Sequence, residues 1–541
     1  MKPSAETVDT FVRDHLPPRD QWPDLLKSPD TDYPVRLNAA TELVDATAEQ
    51  DADRTAIRWP GGSWTYRDLA GTINRIANVL VHEHGLIPGN RVLLRAANNP
   101  MMVACYFAVL KAGGVAVGTM PLLRSRELVE IASKAQIRLA LCDADLLDEL
   151  AGAMKRGTML EEVVTFSGDG TEEMELERAM GRASDQFAAT DTAADDPALI
   201  AFTSGTTGKP KGTVHFQRDL LAICDLYSKH VLQPAPDDVF CGSPPLAFTF
   251  GLGGLALFPF RAGASTLLLE KPSPPALADA IHEFSPTICF TAPTAYRVLG
   301  QMAENGEADL SSLRKCVSAG EMLPIATFEA FKQTTGISII DGIGATEMLH
   351  IFISSSGLDI RPGATGRPVP GYEARVVDDE LNTLPAGEVG SLAVRGPTGC
   401  RYLDDERQRK YVRNGWNLTG DAYLIDEDGY FWFQARADDM IVSSGYNIGG
   451  PEVEQALLAH RDVEDCAVVG VPDENRGQIV KAFIILRDSA VASEEMVDTL
   501  QTFVKGEIAP YKYPRAIEFV SDLPRTDTGK IQRFKLRQGI Q

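Results

Sequence analysis

Ten residues, TSGTTGKPKG from Thr203 to Gly212, follow directly on the apolar run ALIAF. They carry four hydroxyl side chains, three glycines and two lysines, and present no face that a hydrophobic core would want. Gly205, Gly208 and Gly212 admit backbone conformations closed to other residues, so amide groups can close in on an anion. Thr203, Ser204, Thr206 and Thr207 add hydroxyl donors, and Lys209 and Lys211 add positive charge. The combination suits phosphate. It is not the GxxxxGK[ST] loop, because Pro210 stands five residues after Gly205, where that pattern has glycine. A Gly/Ser/Thr linker explains SGTTG alone as well as an anion site does. The appended KPKG favours the anion.

Such a loop needs rigid elements behind it. RVLLR (91–95) reads as a buried strand, PMMVACYFAVLKAGG as a helix with proline near its start and glycines near its end, and VAVGTM as the next strand. IRLALCDADLLDELAGAMK and the stretch from 264 to 300 repeat the strand-then-helix order. This alternation predicts an α/β fold with parallel-rich sheets covered by helices, and sites at the carboxyl ends of strands. From about 370 to 435 the texture changes to short strands and turns, which predicts an antiparallel β subdomain. The last hundred or so residues read as a small β-α-β-β-α-β unit. The expected division is an N-terminal core over 1–437 and a mobile C-terminal domain over 438–541.

A chain of 541 residues with 44% hydrophobic and 23% charged content is too long for one ordinary domain and can bury a large core. Its net charge of −23 argues against general nucleic-acid binding and against an anionic membrane surface. The charge is uneven: from Pro510 onward there are seven Lys and Arg against three Asp and Glu, a local basic tail suited to a polyanion or simply to water. The eight cysteines form no CxxC pair or metal-like cluster, and several sit in apolar runs, as expected of free thiols in a reducing cytoplasm. The N-terminal stretch lacks the apolar run of a signal peptide, and no stretch is long and apolar enough to span a bilayer.

TSGTTGKPKG resembles the phosphate-binding signature of the adenylate-forming superfamily, which includes acyl-CoA synthetases, peptide-synthetase adenylation domains and luciferases. Further matches follow in the expected order from about residue 50 to the end. In DGIGATEML (341–349), the resemblance puts Thr346 at the α-phosphate and makes Glu347 a Mg²⁺ ligand, a hard carboxylate oxygen sharing the ion with phosphate and water. Ile343 replaces the family's usual aromatic residue and leaves apolar contact with adenine; Asp341 and Gly342 complete that side of the nucleotide site. SAGE (318–321) places Gly320 and Glu321 near the adenosine. LTGD (418–421) places Asp421 on both ribose hydroxyls, which one carboxylate can accept. ARADD (435–439), with Ala435 where the family has glycine, makes Arg436 a second ribose contact and Asp438 the hinge. In PRTDTGKIQR (524–533), Lys530 is the implied catalytic lysine, a point charge that offsets the repulsion between substrate carboxylate and α-phosphate.

SSGYNIGGPEVE (443–454) resembles the loop lining the pantetheine tunnel, with Gly445 and Tyr446 as candidates for coenzyme A contact. The sequence stops shortly after the lysine motif and no carrier domain is expected, so free coenzyme A is the expected acceptor. SPPLAFTFGLGG (243–254) and DGIGATEMLHIF (341–352) together resemble the benzoate- and 2-aminobenzoate-CoA ligase branch, with acyl-pocket walls at Thr249, Phe250, His350 and Ile351. Phe250 and Ile351 suit a flat ring, and His350 either packs or donates to a ring substituent. The bland alternative makes Phe250 and His350 ordinary core residues. The implied function is ATP- and Mg²⁺-dependent activation of an aromatic carboxylate and its transfer to coenzyme A, in the cytoplasm, with small-molecule partners and a homodimer allowed. The rivals are a stand-alone enzyme loading a separate carrier protein, a CoA ligase for medium-chain or other carboxylates, and a non-catalytic binder of the same fold.

Overall fold

The computed structural model describes residues 9–203, 210–436, 439–443, 446–473, 476–487, 490–508, 510–525 and 530–538. Among these, two large sheets form the body. The first has six strands in the spatial order Glu162–Phe166, Leu139–Asp143, Arg91–Arg95, Val115–Thr119, Pro197–Thr203 and Lys211–Phe216. Its first five are parallel neighbours, and the last pair is antiparallel. The second has nine strands. Its parallel centre runs from Thr55–Trp59 through Ser265–Leu267, Val239–Gly242, Ile288–Thr291 and Lys315–Ala319 to Ile340–Gly344. Strands such as Arg91–Arg95 and Ile288–Thr291 are buried along their whole length, as parallel strands covered on both faces must be.

Local chemistry accounts for the helices that cover them. Thr65 caps the helix Tyr66–His82: its hydroxyl accepts from the Asp68 amide, and the Asp68 carboxylate accepts from the Thr65 amide at 2.9 Å. Leu69, Ile73, Ile76, Ala77 and Leu80 then fall on one buried face. Pro100 opens the helix Pro100–Lys111 behind an Asn99 cap, and all of its residues are buried. That helix touches Arg91–Arg95 and Val115–Thr119 of one sheet and Thr55–Trp59 of the other, so it fills the space between the two sheets. This explains its lack of a polar stripe.

Strands Glu373–Val377, Gly390–Arg395, Trp416–Ile425 and Phe431–Arg436 pair antiparallel, matching the change of texture in the sequence. The C-terminal sheet is built on the long hairpin Val463–Asp473 with Gly477–Leu486, joined by Ala516–Phe519 in parallel. It is richer than the β-α-β-β-α-β reading: two short strands, Ile441–Ser443 and Tyr446–Ile448, precede the first helix, and a helix Arg533–Gln538 follows the last strand. It meets the body through Arg525, which lies 2.7 Å from Asp465 and 3.9 Å from Glu321, and through Arg297, which donates to the Glu464 carbonyl.

Candidate nucleotide and acyl site

The phosphate-loop candidate joins two antiparallel strands, with Thr203 opposite Lys211 and Phe202 opposite Gly212. The strands on either side of it therefore run antiparallel, in keeping with the hairpin expected near position 205. Ser204, Gly205, Thr206, Thr207 and Gly208 lie outside the described residues, as do Asp438 and Gly445. Alongside the outgoing strand runs the segment 400–403. Tyr402 bridges Thr213, the Val214 amide donates to the Arg401 carbonyl at 2.9 Å, and the Leu403 amide donates to the Gly212 carbonyl at 2.8 Å.

Thr346 and Glu347 share one tight turn, Thr346–Met348, directly after the strand Ile340–Gly344. His215 reaches it from the phosphate-loop strand: its Nε2 lies 2.8 Å from the Thr346 carbonyl. A carbonyl only accepts, so Nε2 carries the proton. Burial pushes the imidazole down to about 4, which keeps it neutral. Behind it, Asp219 accepts from the Phe216 amide at 2.9 Å and pairs with the fully buried guanidinium of Arg401. Glu347, only 8% exposed, accepts from the Tyr402 hydroxyl. That hydroxyl in turn accepts from the Lys211 ammonium at 3.2 Å. His215, Arg401 and Tyr402 escape sequence reasoning because their partners lie far away in the chain. Only the burial of an Arg-Tyr pair between apolar neighbours could have marked them.

The nucleotide candidates converge on one crevice. In register, Ser318 pairs Asp341 and Ala319 pairs Gly342. Gly320 ends its strand at φ +91°, a left-handed conformation that favours glycine. A side chain there would also approach the Lys530 Cε to 3.7 Å. Burial drives the Asp341 carboxyl up to about 8, and its Oδ1 has no hydrogen-bond partner; the Gly342 amide and Ser318 hydroxyl pull the other way. Asp421 and Arg436 face each other across two strands and pair at 2.8 Å. Loss of water lowers the Lys530 pKa, Glu321 and Asp421 raise it, and Arg436 lowers it further. The lysine still reaches solvent. Burial raises the Glu321 pKa against the pull of Arg525 and Lys530.

Thr249 and Phe250 begin a short helical run, Thr249–Leu252. Phe250 is half-buried and its ring lies 5.6 Å from that of His350. Phe258 meets the same imidazole edge-on at 4.5 Å, and Tyr227 lies at 5.4 Å. His350 is 3% exposed, neither ring nitrogen has a hydrogen-bond partner, and burial drives it down to about 3. Gly253 closes the box: a Cβ there would stand 2.4 Å from the His350 Cδ2. Ile351 turns elsewhere and packs on Gly342, 2.8 Å from where a Cβ would sit, beneath the nucleotide strand. Tyr446 opens the short strand Tyr446–Ile448 of the C-terminal sheet.

Among the described residues no group of three or more His, Cys, Asp or Glu is arranged to hold a metal. Glu347 alone suits an ion that takes its other ligands from phosphate oxygens and water. No described helix is long and apolar enough to cross a membrane.

The chain as a whole is similar to known proteins. Residues 44–401 match the family described as AMP-binding enzyme, and 452–530 match the AMP-binding enzyme C-terminal domain. The chain is 36% identical to the benzoate–CoA ligase of Thauera aromatica, over 93% of this chain and 96% of that one. The crystal structure of the anthranilate CoA ligase AuaEII with anthranoyl-AMP superposes with a TM-score of 0.89 at 36% identity, over 95% of this chain and 99% of that one. A benzoate CoA ligase from Burkholderia xenovorans LB400 gives 0.84 at 33% identity, over 92% and 99%. On this match the chain belongs to the AMP-binding, adenylate-forming enzymes.

Proposed function

We propose that the protein is an AMP-forming ligase that joins an aromatic carboxylate, of the benzoate or 2-aminobenzoate type, to coenzyme A. A carboxylate oxygen attacks the α-phosphorus of ATP; the bond to the bridging oxygen breaks and pyrophosphate leaves. The coenzyme A sulfur, its proton given up to solvent, then attacks the acyl carbon, and AMP departs with the bonding pair. The observation that carries the reading is convergence: Lys530, from the far end of the chain, stands against Gly320 and Glu321 in the crevice that also contains Asp421 and Arg436.

In this reading Lys530 draws together two anions that otherwise repel. Asp421 and Arg436 hold the ribose, and Asp341, Gly342 and Ile343 face the base. Thr203 to Lys211 cradle the phosphates. Glu347 would hold Mg²⁺, which supplies charge neutralisation on the leaving pyrophosphate when bound. Phe250 and His350, backed by Phe258 and Tyr227, form the wall against which the ring packs. The neutral, unpartnered imidazole gives the wall one polar handle, which suits an amino or hydroxyl substituent. The small lobe turns about Asp438, bringing Gly445 and Tyr446 toward the pantetheine arm for the second step. The eight thiols, all buried and unpaired, fit a cytoplasmic setting.

The test is incubation with ATP, Mg²⁺, coenzyme A and a panel of aromatic and aliphatic acids, reading AMP and acyl-CoA. Equal AMP and acyl-CoA with benzoate or 2-aminobenzoate is the expected result. AMP release with aliphatic acids only, or acyl-adenylate without acyl-CoA, would overturn it.

A further inference from the structure

Tyr402 belongs to none of the motifs that point to adenylation, yet it lies at their junction. It is completely buried, and its ring sits between Cys400, Val412 and Tyr411. Its hydroxyl touches two groups of opposite charge: Lys211, which leaves the phosphate loop, and Glu347, the one candidate cation ligand. An ammonium has only donors and a carboxylate only acceptors. The phenol must therefore accept from Lys211 and donate to Glu347, and neither bond can reverse. The ammonium also lies 5.2 Å from the centre of the Tyr402 ring, over its face. The position of the hydroxyl is fixed from outside, because the backbone around residue 402 pairs with the strand leaving the loop.

We propose that Tyr402 is a positioning residue that fixes the Glu347 carboxylate for the divalent cation accompanying ATP, and that ties this carboxylate to the phosphate loop through Lys211. This rests on the reading of Glu347 as the cation ligand. A carboxylate on a free side chain must be ordered by the ion itself. Here the ordering is complete before the ion arrives, so binding costs less. The hydroxyl engages one carboxylate oxygen, and the other would be open to the ion.

The test is a titration of Mn²⁺ into protein plus ATP without acid, following free Mn²⁺ by electron paramagnetic resonance. AMP binding in EDTA serves as a metal-free control. In Tyr402→Phe the half-saturating Mn²⁺ concentration is expected to rise about tenfold, one lost charge-assisted hydrogen bond. AMP affinity should stay within twofold, which a general loss of structure would not allow. In a Glu347→Gln background, the Tyr402→Phe change should add nothing further. Half-saturation equal to wild type in Tyr402→Phe, or full additivity in the double variant, overturns the proposal. If Tyr402→Phe fails to fold, Tyr402→Met, which also lacks the hydroxyl, gives the second measurement: half-saturating Mn²⁺ should rise more than threefold with AMP affinity within twofold, and no change there overturns the proposal. Wild-type half-saturation that Glu347→Gln leaves unmoved would instead refute the reading of Glu347 itself.

Discussion

Replacing Asp341 with asparagine should stabilise the protein, and by more as the pH rises. In the folded chain the carboxyl is held up at about 8 by burial, against 3.8 in the open. Below pH 4 both states carry the proton and the group is neutral to stability. Above that the unfolded chain ionises while the folded chain does not, so stability falls with rising pH until the folded group also lets go near 8. Each pH unit inside this window is worth about 1.4 kcal/mol as an upper figure, since water entry on unfolding fluctuations softens it. From pH 5.5 to 7.5 the gap between variant and wild type should therefore widen by about 2 to 3 kcal/mol. The buried imidazoles of His215 and His350, held down at about 4 and about 3, act with the opposite sign: they lose stability as pH falls below about 6.5. They are common to both proteins and cancel in the difference. Urea midpoints read at fixed pH from 5.5 to 9 provide the measurement. A gap that is flat across this range, or that closes as pH rises, would show that Asp341 is ionised in the folded state.

Lys530→Ala should slow formation of the acyl-adenylate about 10³-fold, the worth of one ammonium a few ångströms from an anion at intermediate dielectric, while thioester formation from supplied adenylate changes less than tenfold; single-turnover assays of the two half-reactions check this. Gly253→Ala drives a methyl group into the His350 ring, 2.4 Å away, and should lower kcat/KM for the aromatic acid more than tenfold with AMP affinity unchanged. Arg525→Ala removes the link from Asp465 toward Glu321 and should slow adenylation two- to fivefold while leaving the thioester step unchanged or faster, read as the ratio of the two rates.

The body of the fold was legible in the sequence because its strands and helices carry their periods openly. The run RVLLR and the capped, almost wholly apolar helix after it could hardly be anything else. The expected residues of the crevice, from Gly320 to Lys530, also stand near one another, since each belongs to a short motif. What the sequence hid were the contacts that make these motifs one site. His215 lies 131 positions from Thr346, and Tyr402 lies 55 positions from Glu347. Neither carries a local signature, because a side chain that props up another needs only the right place in the sheet. Phe258, Tyr227 and Gly253 were hidden for the same reason: nothing in their own neighbourhoods says that they enclose His350.

That hidden layer bears on how one enzyme fold can change its acid without losing its nucleotide chemistry. In the proposed reading, the stretch between Asp341 and Ile351 serves the base, the α-phosphate, the cation and the ring of the acid. Any shift made for one would reach the others if only the backbone held them. Two features separate them. Leu349 takes a left-handed φ of +71°, unusual for a residue with a side chain, which turns the chain sharply between Glu347 and His350. On the near side of that turn, Thr346 and Glu347 are pinned by His215 and Tyr402, both anchored in the other large sheet. On the far side, His350 packs among the rings of Phe250, Phe258 and Tyr227. The polar part of the site is thus tied to a second element, and the acyl wall rests on packing that tolerates substitution far better than a buried hydrogen-bond network does. In the proposed reading, chemistry at Thr346 and Glu347 and selectivity at His350 stand three to four residues apart in sequence but on different supports, which would let one vary while the other stays fixed.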